Sequence, residues 1–99
     1  MMTTKQLFNA KNNGQKIEKG MHINVISVGN FDDTDKDGNT VTVTALMDKN
    51  GSIYTTISAT IANSVELLSK ILEEDGEAEV VVNESTSNGG RKFFMLEVL

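Results

Sequence analysis

The chain has 99 residues and contains no proline, cysteine or tryptophan. This length fits one domain, because domains mostly hold about 100–150 residues. Without cysteine and with a single histidine, the chain excludes disulfide frameworks, thiolate nucleophiles and metal sites built on clustered Cys or His. We therefore expect one domain over residues 1–99, with no metal and no cofactor.

The composition is that of a soluble protein, with 38% apolar and 23% charged residues. No apolar run approaches the roughly 20 residues that a membrane-spanning helix needs. The polar start of the chain does not resemble a secretory signal peptide. We expect a reducing, cytoplasmic location and no membrane partner.

The net charge of −5 is unevenly distributed along the chain. Four aspartates cluster in residues 32–37, and five acidic residues form a second block in residues 73–79. The rest of the chain carries eight bases and five acids, which is a net charge of +3. Overall acidity therefore leaves room for a neutral to basic face and does not exclude a nucleic-acid partner.

The chain has several short alternating runs of apolar and polar residues, the pattern of half-buried strands. Residues 5–10 predict an uncertain first strand, and the others are residues 21–28, 40–47, 52–58, 79–84 and 91–99. In residues 40–47 the valines, Ala45 and Met47 are expected to face inward and the threonines outward. The Asn-Gly pair at 50–51 predicts a tight hairpin, because such pairs readily adopt positive φ angles.

After residue 58 the apolar period changes from two residues to that of a helix. Ile61, Val65, Leu68 and Leu72 carry this pattern. Thr60 or Asn63 is expected to cap its start, and Gly76 is expected to end it in a left-handed conformation.

This element order predicts a mainly β fold. We expect an OB-fold-like, five- to six-stranded Greek-key barrel with one α-helix between the third and fourth barrel strands. A helix packed on an open sheet, as in α+β domains, is the alternative. OB-folds commonly bind single-stranded nucleic acid or oligosaccharide.

Asp33, Asp35 and Asp37, followed by Gly38, match the first half of a calcium-binding EF-hand loop. The position that requires a bidentate glutamate is Thr44, and both flanks predict strands where an EF-hand has helices. We therefore expect a solvated acidic hairpin loop that points away from any nucleic-acid surface.

The sequence contains no recognisable catalytic motif. It has no nucleophile elbow, P-loop or dinucleotide-binding glycine pattern. The only histidine, His22, is expected to be a structural or surface residue. A non-catalytic protein is predicted.

The aromatic residues are the best candidates for a binding site, because flat side chains beside cations stack on unpaired bases. Tyr54 is out of phase with its apolar neighbours, which predicts either an exposed stacking ring or a tyrosine that packs in the core. Phe93 and Phe31 are further stacking candidates, whereas Phe8 is expected in the core. The candidate phosphate contacts are Arg91, Lys92, Lys11, Lys16 and Lys49.

Several collinear segments resemble one protein family. They are QLFNA at 6–10, NGSIYTTIS at 50–58, TIA at 60–62, VVN at 81–83 and FFML at 93–96. This pattern is similar to the early single-stranded DNA-binding protein of small tailed phages with protein-primed linear genomes. The best motif is Gly-Ser-aliphatic-Tyr, in which the tyrosine is Tyr54.

The resemblance implies a protein that coats displaced single strands during phage DNA replication and protects them. It also implies a stacking role for Tyr54. Single-stranded DNA is the expected partner, with phage replication proteins and further copies of the chain as candidates. The alternative function is an acidic protein-interaction module, such as a phage inhibitor of a host factor, whose acidic blocks form the contact surface.

Overall fold

The computed structural model describes residues 2–99, and this part of the chain forms six strands and three helices. In chain order they are α1 (Thr4–Asn13), β1 (Gln15–Lys16), β2 (His22–Thr34), β3 (Thr40–Asp48), β4 (Ile53–Thr56), α2 (Ala59–Ala62), α3 (Val65–Asp75), β5 (Ala78–Thr86) and β6 (Lys92–Val98). None of these helices is both long enough and apolar enough to cross a bilayer.

The strands form one curled sheet, a half-barrel with the order β1-β4-β3-β2-β5-β6. The long strand β2 joins the two halves of the sheet. It pairs with β5 through residues 22–25 and with β3 from Val25 to Thr34, and its register shifts between Val25 and Ser27. Such irregularities bend a strand and increase its twist, which curls the sheet. The prediction of a mainly β, OB-like barrel is confirmed.

The first predicted strand is wrong, because residues 5–10 lie inside helix α1. A capping box starts this helix: Thr3 Oγ1 accepts a hydrogen bond from the Gln6 amide, and Gln6 Oε1 accepts one from the Thr3 amide. Leu7 and Ala10 pack against the sheet. The expectation for Phe8 is also wrong, because its side chain points outward and is 66% exposed.

Two glycines allow α1 to lie close to the sheet. A Cβ atom on Gly29 would be 2.9 Å from Leu7 Cδ2. A Cβ atom on Gly14, just after the helix, would be 2.5 Å from Thr55 Cγ2 and 2.6 Å from the carbonyl oxygen of Ala10. A larger residue at Gly14 would have to displace backbone, whereas one at Gly29 would have to displace the end of the Leu7 side chain.

The predicted single helix is two helices, and its predicted caps are wrong. Ser58 caps α2, since its hydroxyl accepts a hydrogen bond from the Ile61 amide at 3.4 Å. Asn63 ends α2, and α3 begins after Ser64. The predicted end is confirmed, because Gly76 has a φ of 80°.

Both faces of the central strand β3 are buried. Leu46 belongs to the main core, between the sheet and the helices α2 and α3, whereas Ala45 belongs to a second cluster beneath α1. Thr44 is also fully buried, and its hydroxyl donates to Asn30 Oδ1 at 3.0 Å. The expectation that all threonines of this strand face outward is therefore wrong for Thr44.

Two hairpin turns use aspartate side chains to satisfy their own backbone. Asp48 Oδ1 accepts hydrogen bonds from the Asn50 and Ser52 amides, both at 2.9 Å, which confirms the predicted hairpin. In the acidic loop, Asp35 Oδ1 accepts from the Asp37 and Asn39 amides, also at 2.9 Å. The carboxylate of Asp35 thus organises the loop.

Candidate nucleic-acid interface

A groove with a volume of about 590 Å³ lies between the end of α1, the β4–α2 segment and β6. Its walls include three phenylalanines and three lysines that come from distant parts of the sequence. Five of the eight residues predicted for the binding site line it: Phe31, Phe93, Lys11, Lys16 and Lys92. The sheet thus gathers candidate stacking rings and candidate phosphate contacts at one place.

Phe31 lies on the face of β2 that α1 partly covers. Side chains alternate along a strand, so Phe31 shares this face with Gly29 and Asp33. Its ring is half-buried, because it packs against the second core cluster, and it pairs across the sheet with Val43. This packing holds the ring in place while part of it stays accessible in the groove.

Strand β6 forms another wall of the groove through Lys92, Phe93 and Phe94. The Ser58 hydroxyl donates to the Phe94 carbonyl oxygen at 2.9 Å, which ties β6 to the β4–α2 segment. Phe94 and Leu96 pack against the main core, whereas Val98 at the end of the strand is 46% exposed. Phe93 is half-buried and also lines the groove.

The three groove lysines differ in their electrostatic partners. Lys11 Nζ lies 3.8 Å from Asp33 Oδ1, and Lys92 Nζ lies 3.9 Å from Glu84 Oε1. Within residues 2–99, Lys16 has no carboxylate within 4.0 Å. Lys16 is therefore the groove lysine whose charge is most available to an anion.

Asp33 lines the groove, although the sequence placed the whole acidic segment away from the candidate surface. Its position follows from the alternation of β2, which puts it on the same face as Phe31. The tip of the loop, residues 35–39, does not line the groove. It also lies away from Tyr54: this residue pairs with Leu46, six residues along β3 from Thr40 at the base of the loop, which is about 20 Å at 3.4 Å per residue.

Comparison with known proteins identifies the family. The profile of the phage single-stranded DNA-binding proteins matches residues 3–99, nearly the whole chain. The chain belongs to this family. No curated protein and no solved structure was found to match it. The resemblance seen in the sequence is thus confirmed.

In this member of the phage single-stranded DNA-binding family, three predicted site residues lie outside the groove. Tyr54 is half-buried and packs against the main core, while its neighbour Thr55 lines the groove. Arg91 is exposed in the turn before β6, where its carbonyl oxygen accepts from the Ser87 amide at 2.9 Å. Lys49 is exposed in the β3–β4 turn, also outside the groove. DNA contacts by these residues stay predictions.

The sequence did not identify the hydroxyl and aliphatic residues of this family member's groove. Thr55, Ser58 and Thr60 line it, as does Ile57, which is 66% exposed. Hydroxyl residues on strands are equally well explained by β-propensity, so Thr55, Ser58 and Thr60 gave no distinct signal of a site. Ile57 could have been predicted as part of the site, because its apolar side chain continues the face of Ile53 and Thr55 beyond the end of β4.

Proposed function

We propose that this groove binds single-stranded DNA with little base specificity, and that the protein thereby coats and protects displaced strands during phage DNA replication. The observation that supports the proposal is the convergence of Phe31, Phe93 and three lysines in one groove of a member of this family. Stacking on aromatic rings tolerates any base, since every base has a flat face.

The lysines supply the electrostatic part of binding. Lys16 and the ends of Lys11 and Lys92 are exposed, so phosphates can approach them without the cost of burying a charge. The hydroxyl group of Thr60 is an additional donor along the same wall, whereas the Thr55 hydroxyl donates to the carbonyl oxygen of Gln15. We infer that the backbone follows the lysines while bases turn toward the two rings.

Titration of the protein with a fluorescently labelled oligothymidylate, at a series of salt concentrations, tests the proposal. The affinity is expected to fall as salt rises, with a slope of about −0.7 for each phosphate neutralised. Lys16→Gln should weaken binding and reduce the slope by about 0.7. Lys70→Gln, an exposed lysine of α3 outside the groove, is the matched control and should bind like the wild type.

Absence of binding at low salt would contradict the proposal. It would favour the alternative function, an acidic protein-interaction module.

The single tyrosine gives a direct probe of Tyr54, because the chain has no tryptophan to mask its fluorescence. Since the Tyr54 ring packs against the main core, we expect saturating oligothymidylate to leave its emission largely unchanged while the anisotropy of the labelled oligonucleotide rises. N-acetyltyrosinamide mixed with the same oligonucleotide corrects for absorption by DNA. Strong quenching beyond this correction would show that bases stack on Tyr54, as the resemblance implies.

A further inference from the structure

Two of the three groove lysines are held by carboxylates of the protein itself. The Lys11–Asp33 and Lys92–Glu84 pairs have N–O distances of 3.8 and 3.9 Å. In each pair the lysine side chain is more exposed than the carboxylate, with 51% against 37% and 73% against 27%. The acids are thus the inner partners, and the lysine ends lie toward solvent.

Both carboxylates lie on strands of the sheet, and the carboxylate of Asp33 has a second contact. Asp33 lies on β2, and its Oδ1 also accepts a hydrogen bond from the Thr34 amide at 2.8 Å. Glu84 lies on β5, diagonally across from Lys92 on β6. Exposed ion pairs of this kind contribute little to stability, so another anion can replace the carboxylate.

We propose that Asp33 pairs with Lys11, and Glu84 with Lys92, in the free protein, and that both carboxylates compete with DNA phosphates for these lysines. This inference rests on the proposed function. Phosphate binding at these two lysines is an exchange, in which one anion replaces another and the displaced carboxylate stays nearby. The two acids therefore lower the affinity of the groove for DNA and the number of phosphates that are fully neutralised.

The exchange predicts that removing an inner acid strengthens binding. Asp33→Asn keeps an oxygen that can accept from the Thr34 amide but loses the negative charge. We expect it to bind oligothymidylate about fivefold more tightly. The salt slope should become steeper by about 0.7, because Lys11 then neutralises a phosphate fully.

Matched variants separate this competition from a general change in charge. Asp37→Asn removes one negative charge from the exposed tip of the same loop, outside the groove. We expect it to tighten binding clearly less than Asp33→Asn. In a Lys11→Gln background, Asp33→Asn should have no greater effect than Asp37→Asn, because the lysine for which Asp33 competes is absent.

The second pair gives an independent test. Glu84→Gln should also tighten binding. Its effect should vanish in a Lys92→Gln background. Glu74→Gln, at the end of α3, is the matched control. Circular dichroism measures whether each variant is folded. If Asp33→Asn does not fold, the Glu84 and Lys92 variants test the inference.

Equal effects of the groove and control variants, or an effect of Asp33→Asn that persists without Lys11, would overturn the inference. Failure of the wild type to bind at low salt would instead overturn the proposed function.

Discussion

Replacing both Phe31 and Phe93 with leucine is expected to weaken binding of oligothymidylate about a hundredfold, since stacking contributes about 1–3 kcal/mol per base. Both rings are half-buried in the groove wall, and leucine keeps most of their apolar volume but lacks a flat face. The loss should therefore come from the missing stacking interactions and not from unfolding.

Fluorescence anisotropy with a labelled oligothymidylate measures this effect at a fixed, moderate salt concentration. Phe8→Leu is the matched control, because this phenylalanine is 66% exposed on α1 and does not line the groove. Urea unfolding of the double variant should show a change below about 3 kcal/mol, within the usual range for two substitutions that nearly conserve volume. If the folded double variant retains its affinity within twofold, the groove is not a stacking site.

Gly14→Ala is expected to lower the free energy of unfolding by about 2 kcal/mol, the usual cost of overpacking. The conformation of Gly14, with φ −64° and ψ 139°, is open to any residue. The cost comes from space alone, because the new Cβ atom would be 2.6 Å from the carbonyl oxygen of Ala10, a backbone atom. That oxygen also accepts the hydrogen bond from the Gly14 amide that closes α1.

Urea unfolding measures this loss as a lower midpoint with an unchanged slope. Gly89→Ala is the matched control: nothing lies within 4 Å of its added Cβ atom, so the change should stay within about 0.5 kcal/mol. Because Gly14 joins α1 to β1, its substitution should also displace Lys11 and Lys16 and weaken DNA binding. Equal stability of the two alanine variants would show that α1 moves without cost.

The success of the strand predictions and the failure at α1 have the same physical origin. Residues 40–47 and 91–99 alternate over enough positions, between clear turn signals, to define strands. Residues 5–10 are too few to distinguish a period of two from one of 3.6. The capping box of Thr3 and Gln6 was the signal that decided between them, and its first residue, Thr3, lies before this run.

The alternation of apolar and polar residues also failed to predict which side chains are buried where both faces of the sheet are covered. A strand with one buried face shows which residues point inward, but β3 is covered on one side by the main core and on the other by α1. Thr44 is buried because it shares the face of Leu46, which the main core covers, and its hydroxyl is satisfied by Asn30 on the neighbouring strand β2. No pattern within β3 itself indicates that partner.

The sequence by itself determined the residue chemistry of this protein: a mainly β chain with no cysteine and one histidine, with phenylalanines and lysines as its candidate binding residues, and its membership of the family. Only the tertiary structure decided which of them act together. The curl of the sheet and the Ser58–Phe94 hydrogen bond bring β6 beside the β4–α2 segment, so Phe93 and Phe31 share a groove. The same alternation that placed Phe31 there placed Asp33 beside Lys11. Spatial proximity of distant segments depends on how the sheet bends, and local patterns do not record it.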